Sequence, residues 1–358
     1  MHFNRLPHPS PTPDATRESL IADPGFGTVF TDHMVVIDYD EALGGWQTPT
    51  VGPRQPIALD PAASVLHYAQ EIFEGLKAYR HPDGHLGLFR PQANAARFNA
   101  SADRLAMPQL PEELFLGAIK ALLEVDGNWY PAVEGGSLYL RPFMIATEAF
   151  LGVRPAKQYK FIVIASPAGN YFKSGAKAVS IWISDYTRAA PGGTGAAKCG
   201  GNYAASLVPT GQAFAMGHDQ VLFLDAAERK WVEELGGMNL FFVFADGTVI
   251  TPPLTGTILP GITRNSLMTL LGEQGLKVSE APYSIDQWRA DAASGHLVEV
   301  MACGTAAVVT AVGTVAGPDG AFTIGAGGIG QTTAKLRETL VGIQTGKIAD
   351  THGWVMRV

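Results

Sequence analysis

The chain predicts a two-domain α+β or mixed α/β protein, on three observations. At 358 residues it exceeds what one ordinary hydrophobic core supports. Its β-rich and helical segments mix without strict alternation, which argues against a single doubly wound sheet. A turn-rich stretch, Pro167-Ala-Gly-Asn-Tyr-Phe-Lys-Ser-Gly175, falls near the middle and separates a first domain (1–172) from a second (173–358).

The elements follow in order. Met1–Pro24 is proline-rich and reads as an extended arm. From Thr28 to Asp40, Val29, Phe30, Val35, Val36, Ile37 and Tyr39 predict a strand. Leu86–Phe89 is a short strand, and Pro91, suited to a first helical turn, opens a helix through Leu105. A second helix covers Pro111–Val125, and strands follow at Ser137–Ala146 and Tyr159–Ala165. In the second domain, Ala178–Ser184 and Gln220–Asp225 read as strands, with a helix over Asn202–Ala215 between them. Trp231–Val243 begins polar and ends apolar. Helices at Arg264–Glu273 and Gln331–Ile343 flank strands at Leu297–Ala302, Ala307–Val312 and Ala321–Ile324.

Composition narrows the function. A net charge of −7 and the absence of a basic run argue against nucleic acid. Charged residues make up only 16%, which leaves uncharged surface for a subunit interface. Cys199 and Cys303 cannot build a disulfide framework or a zinc site, so a reducing, cytoplasmic setting is expected and no metal. The first residues lack the apolar core of a signal peptide, and apolar runs such as Leu240–Phe244 are too short to span a bilayer.

Between Arg188 and Asp219 the one side chain with a full charge at neutral pH is Lys198, crowded by Gly192, Gly193, Gly195, Ala196, Ala197, Gly200 and Gly201. Small residues let a ligand approach closely, and a lysine there is a candidate nucleophile. Glu234 enters an apolar strand through a Gly-Gly turn, where a carboxylate needs a positive partner; Glu233 is expected at the exposed rim. Leu259-Pro-Gly261-Ile262-Thr263 precedes a helix and presents amides and a hydroxyl to an anion. Gly304-Thr305-Ala306 and Arg90 offer further phosphate ligands. One lysine, one ring-nitrogen partner and several phosphate ligands together describe a pyridoxal phosphate site.

Two other patterns compete. Gly325-Ala-Gly-Gly-Ile-Gly330 matches the dinucleotide fingerprint, with Asp350 twenty residues on, but the sequence beyond it cannot supply the remaining strands of such a fold. Gly192–Cys199 lacks the Gly-Lys-Ser/Thr of a phosphate loop.

These motifs bring a family into view. The chain resembles the branched-chain amino acid aminotransferases, pyridoxal phosphate enzymes of fold type IV, almost end to end: Phe26-Gly-Thr-Val-Phe-Thr-Asp-His-Met34, Leu66-His-Tyr68, Phe73-Glu-Gly-Leu-Lys77, Leu88-Phe-Arg90, Leu138-Tyr-Leu-Arg141, Lys198-Cys-Gly-Gly-Asn-Tyr203, Leu259-Pro-Gly-Ile-Thr263 and Cys303-Gly-Thr305. The resemblance implies an active site between two domains and a homodimer that shares site residues. It implies Lys198 as the Schiff-base lysine, Glu234 at the pyridine nitrogen and Tyr203 at the phenolic oxygen. Arg90, Ile262, Thr263 and Thr305 would hold the phosphate. Phe26, Phe73, Tyr171, Gly237 and Ala306 would surround the substrate, with Tyr68, Tyr139, Arg141, Leu151 and Val153 reaching in from a neighbouring subunit. The implied reaction moves amino groups between leucine, isoleucine or valine and 2-oxoglutarate. D-Amino-acid transamination or aminodeoxychorismate lyase chemistry are the alternatives on the same scaffold. Gly237 stands where many relatives carry threonine, and Ala307 and Thr310 replace the CxxC pair of animal relatives, so no thiol switch is expected.

Overall fold

The computed structural model describes residues 2–169 and 177–358. The chain divides into two compact units. The first comprises Met1–Tyr171, Ala197–Gly200 and Ile343–Val358; the second, Phe172–Ala196 and Gly201–Gly342. The short segment with Lys198 and the C-terminal residues thus group with the first unit.

Among the described residues, the first unit is built on a ten-stranded sheet. Its central path runs from His33–Asp40 to Gln158–Ala168, Ser137–Ala146, Leu76–Arg80 and Leu86–Phe89, each pair antiparallel, with Val355–Arg357 closing one edge. Helices Pro91–Arg104 and Glu112–Asp126 cover one face. Their apolar residues recur at helical spacing (Leu114, Phe115, Ala118, Ile119 and Leu122), so each presents one stripe to the sheet. Phe98, Phe115 and Phe161 meet there with centroids 5.5 to 6.0 Å apart. Each is at most 1% exposed, and burying one such ring stabilises by roughly 1.5–3 kcal/mol.

Among the described residues, the second unit has a nine-stranded mixed sheet. Val179–Ile183 runs parallel to both Gln220–Leu224 and Val308–Gly317, whereas Leu297–Gly304 pairs antiparallel with Val308–Gly317 and with Asn239–Phe244. Trp288 of helix Ile285–Ser294 packs on Phe242, which also meets Tyr283, and the helix start is capped by the Ser284 hydroxyl accepting from the Gln287 amide at 3.1 Å. The two sheets and their flanking helices are the mixed, non-alternating architecture expected.

Local readings differ in several places. The strand expected from Thr28 begins at His33, because residues 25–29 are turn and bend. The arm is not wholly extended: Asp14–Ala22 is helical, because Pro13 and an acidic first turn are helix-start signals. The single helix expected at Asn202–Ala215 is two, Gly200–Ala204 and Leu207–Ala215, parted where the Ser206 hydroxyl turns back to the Asn202 carbonyl at 2.9 Å. The last hairpin strand is Gly320–Thr323, one residue earlier, and its partner extends through Gly317. Short strands such as Glu71–Phe73 escaped notice, since three residues carry no periodicity.

Candidate active site

In the first unit, the backbone of Lys198 is held from two sides. Its amide donates to the Ser101 hydroxyl at 2.9 Å, and its carbonyl accepts from the Phe73 amide at 3.0 Å. Two residues on, the Gly200 amide donates to the Glu71 carboxylate. Flanking Ala197 and Cys199 are each 3% exposed, so the loop is anchored in the core while the Lys198 side chain stays half-buried. The lysine Nζ lies 4.9 Å from the centre of the Phe73 ring.

The lysine is not remote from carboxylates. Fully buried Glu74 takes Arg97 through Nε at 2.7 Å and NH2 at 2.9 Å, and Asn94 at 2.7 Å. Burial pushes its pKa up, but Arg97, Asn94 and the charge of Lys198 together hold the carboxyl below its usual range. Glu71 has the opposite balance: burial raises it, against the Gly200 amide and Arg141.

Tyr139 and Arg141, two apart on one strand, share a face. The Arg141 guanidinium lies 4.8 Å from the Phe73 centroid and donates to the Tyr139 hydroxyl at 3.1 Å. Tyr139 in turn meets Phe26 edge-on at 5.0 Å. Phe26, Phe73, Tyr139, Arg141 and Lys198 therefore form one cluster within a single chain. Strand alternation turns both Tyr139 and Arg141 toward their own chain's Phe73, whereas the resemblance implies that they reach in from a neighbouring subunit. Arg141 Nε is buried and has no hydrogen-bond partner among the described residues. Tyr68, Leu151 and Val153 lie apart from the cluster on the surface, Tyr68 donating to the Leu151 carbonyl. Tyr171 lies outside the described residues. Arg90, between the Leu86–Phe89 strand and the Pro91 helix, is half-buried.

In the second unit, both glutamates are buried, Glu233 at 6% and Glu234 at 3% exposure, so the rim position expected for Glu233 is wrong. The Val232–Leu235 strand is sealed on both faces, which leaves no solvent side for either. Glu234 pairs with Arg188, the positive partner it needed, and its Oε1 accepts from the Leu259 amide at 3.2 Å. Arg188 also donates to the Gly195 and Thr257 carbonyls at 3.0 and 2.7 Å. Glu233 accepts from the Thr257 hydroxyl at 2.5 Å, and burial raises its pKa. Gly195 must be glycine: a Cβ there would stand 2.6 Å from the Thr257 backbone.

Asn239 joins the remaining parts. Its side chain donates to the Leu259 carbonyl at 3.1 Å and fills the space a Cβ on Gly261 would need. Its backbone pairs in register with Cys303, beside the Gly304-Thr305-Ala306 turn. Gly304 in turn packs within about 3.3 Å of the Gly237 carbonyl, measured from where its Cβ would be. Glu234, Gly237, Ile262, Thr263, Thr305 and Ala306 are thereby tied together. Helix Ile262–Glu273 begins at Gly261 with no side-chain cap among the described residues, the kind of helix start that can take an anion. Tyr203 is half-buried on the Gly200–Ala204 helix.

The chemistry of each unit's donors fits pyridoxal phosphate: in the second, a helix start without a side-chain cap and a fixed buried carboxylate suited to a ring nitrogen, and in the first, an anchored lysine suited to an aldehyde. The dinucleotide reading fails on geometry. The amides of Thr332 and Thr333, at the start of the helix after Gly330, already donate to Glu299 at 2.9 Å, so the chain's own carboxylate fills the anion position. Arg188 and Asn239 were overlooked as contributors. The signal for Arg188 was present, since it bounds the charge-poor window around Lys198.

Comparison with known proteins agrees. A family profile described as amino-transferase class IV matches residues 71–315. The chain is 56% identical over 365 residues to a branched-chain-amino-acid aminotransferase of Mycolicibacterium smegmatis, covering all of this chain and 98% of that protein. It is 53% identical over 363 residues to one of Mycobacterium tuberculosis, with the same coverage of 100% and 98%. Among solved structures it resembles the branched-chain amino acid aminotransferase from Escherichia coli, at TM-score 0.74 and 27% identity, over 91% of this chain and 98% of that one. A second such structure, a T.th. branched-chain amino acid aminotransferase complexed with N-(5'-phosphopyridoxyl)-L-glutamate, matches at TM-score 0.73 and 30% identity, over 89% of this chain and 97% of that one.

Proposed function

Because the chain belongs to the class IV aminotransferase family and is a branched-chain amino acid aminotransferase, we propose that it uses pyridoxal 5'-phosphate to exchange amino groups between L-leucine, L-isoleucine or L-valine and 2-oxoglutarate. The bound cofactor draws electrons from the substrate α-carbon and makes its hydrogen acidic. Lys198 is assigned to hold the cofactor's aldehyde carbon and to carry the proton to and from the α-carbon. Glu234, kept in place by Arg188 and the Leu259 amide, serves the pyridine nitrogen, and Tyr203 the phenolic oxygen. Arg90, the Ile262 and Thr263 amides and the Thr305 hydroxyl take the phosphate. Phe26, Phe73, Gly237 and Ala306 border the substrate, a role the resemblance also gives Tyr171. Arg141 receives the distal carboxylate of glutamate, a role its unbonded buried Nε supports.

The observation that carries this reading is the anchoring of Lys198 by Ser101 and Phe73 beside Arg141 and Tyr139. In the same proposal the enzyme is a cytoplasmic homodimer, with exposed Tyr68, Leu151 and Val153 completing a partner's site. Among the described residues no helix is long and apolar enough to cross a membrane.

Purified enzyme should turn over L-leucine with 2-oxoglutarate far faster than D-alanine, and borohydride should fix the cofactor to Lys198. Lys198→Ala should lose turnover and label while keeping its circular dichroism. Preference for D-alanine would select the alternative on the same scaffold, and label at another lysine would remove the role given to Lys198.

A further inference from the structure

We propose that Trp354 is a positioning residue for Arg90, so that the segment leading into the C-terminal strand helps to hold the cofactor's phosphate; this rests on the assignment of Arg90 to that phosphate. Arg90 is a non-glycine residue in the left-handed region, φ 51° and ψ 44°. An L side chain stays there only when its surroundings hold it. The Arg90 amide donates to the Trp354 carbonyl at 2.6 Å. The guanidinium of the same arginine lies 5.3 Å from the Trp354 ring centroid, within cation–π range. One residue thus engages both the backbone and the charged end of Arg90.

Trp354 is itself fixed. His352 stacks on it at 4.0 Å and 19°, and Phe89 meets it edge-on at 5.6 Å. The Asp350 carboxylate accepts from the amides of His352 at 3.1 Å and Val355 at 2.7 Å, closing the turn that carries Trp354. Val355–Arg357 then pairs antiparallel with the Leu86–Phe89 strand that leads into Arg90. An arginine side chain has many rotamers, and ordering one costs entropy at the moment of binding. An indole face and a pinned backbone bear that cost before the phosphate arrives. Burial also disfavours the Arg90 charge, and the ring face offsets part of that penalty.

The test titrates apoenzyme with pyridoxal phosphate, followed by absorbance. Trp354→Leu, which removes the ring face but keeps an apolar residue ahead of the strand, should weaken binding about tenfold. Trp354→Phe should recover most of the loss. In an Arg90→Ala background Trp354→Leu should have no further effect, and pyridoxal, which lacks the phosphate, should bind Trp354→Leu and the parent enzyme equally. Parent-like affinity of Trp354→Leu, or an equal loss in the Arg90→Ala background, overturns the proposal. If Arg90→Ala alone leaves affinity unchanged, the phosphate assignment fails and the proposal falls with it. Should Trp354→Leu not fold by circular dichroism, Trp354→Met takes its place in each arm.

Discussion

Gly75→Ala is the sharpest probe of the substrate cluster. A Cβ on Gly75 would stand 2.1 Å from the Tyr139 hydroxyl oxygen. Ordinary contact begins near 3.4 Å, so the oxygen must retreat by about 3.4 − 2.1, or about 1.3 Å. Gly75 does not have a positive φ, so the added methyl acts through this contact and not through backbone strain. The retreat cannot stay local. The Tyr139 hydroxyl receives the Arg141 guanidinium at 3.1 Å, and its ring packs on Phe26 at 5.0 Å. Arg141 therefore shifts with it, and a misplacement of roughly 1 Å costs on the order of a hundredfold in rate. The assay is kcat/KM for glutamate and for leucine, with thermal unfolding alongside. Glutamate should lose about a hundredfold and leucine less, because only the former needs Arg141. Parent-like kcat/KM for glutamate in a folded variant would refute the placement of Tyr139 and Arg141 in the substrate site.

Further outcomes follow from the same geometry. Glu74→Gln leaves the buried Arg97 without its counter-charge and should destabilise by about 3–5 kcal/mol in denaturant titrations. Because the folded pKa of Glu74 is depressed, its contribution is present above the unfolded value near 4.5 and is lost as pH falls through the folded value. Glu74→Gln should therefore flatten the acid limb of the stability profile; an unchanged limb would contradict the depressed pKa. Glu299→Ala removes the hydrogen bonds to Thr332 and Thr333 and should lower stability by about 1–2 kcal/mol without changing KM. Gly237→Thr should fold with a parent-like melting temperature, since among the described residues no atom lies within 4 Å of its Cβ position; a large fall would show that space to be needed.

Much of the fold and site was readable along the chain. Helices Pro91–Arg104 and Glu112–Asp126 announce themselves by Pro91 and by 3.6-residue apolar spacing, both local properties of consecutive residues. Lys198 is conspicuous for the same reason, as a charge in a stretch of glycine and alanine. Its resemblance motifs are likewise contiguous runs, and they carry the chemistry: a lysine, a buried glutamate and a helix start.

What tertiary structure alone decided are relations between distant residues. That Arg188 answers Glu234 from far along the chain, that Glu233 is sealed with it, and that Asn239 abuts Gly261 depend on strand register, to which no single segment testifies. The same holds for Tyr139 and Arg141. Their residue types were legible, but the face they share with Phe73 follows from the pleat of a strand paired to Glu71–Phe73, three residues too short to signal itself. Burial and pairing are properties of the folded ensemble of contacts, and a sequence encodes them only jointly.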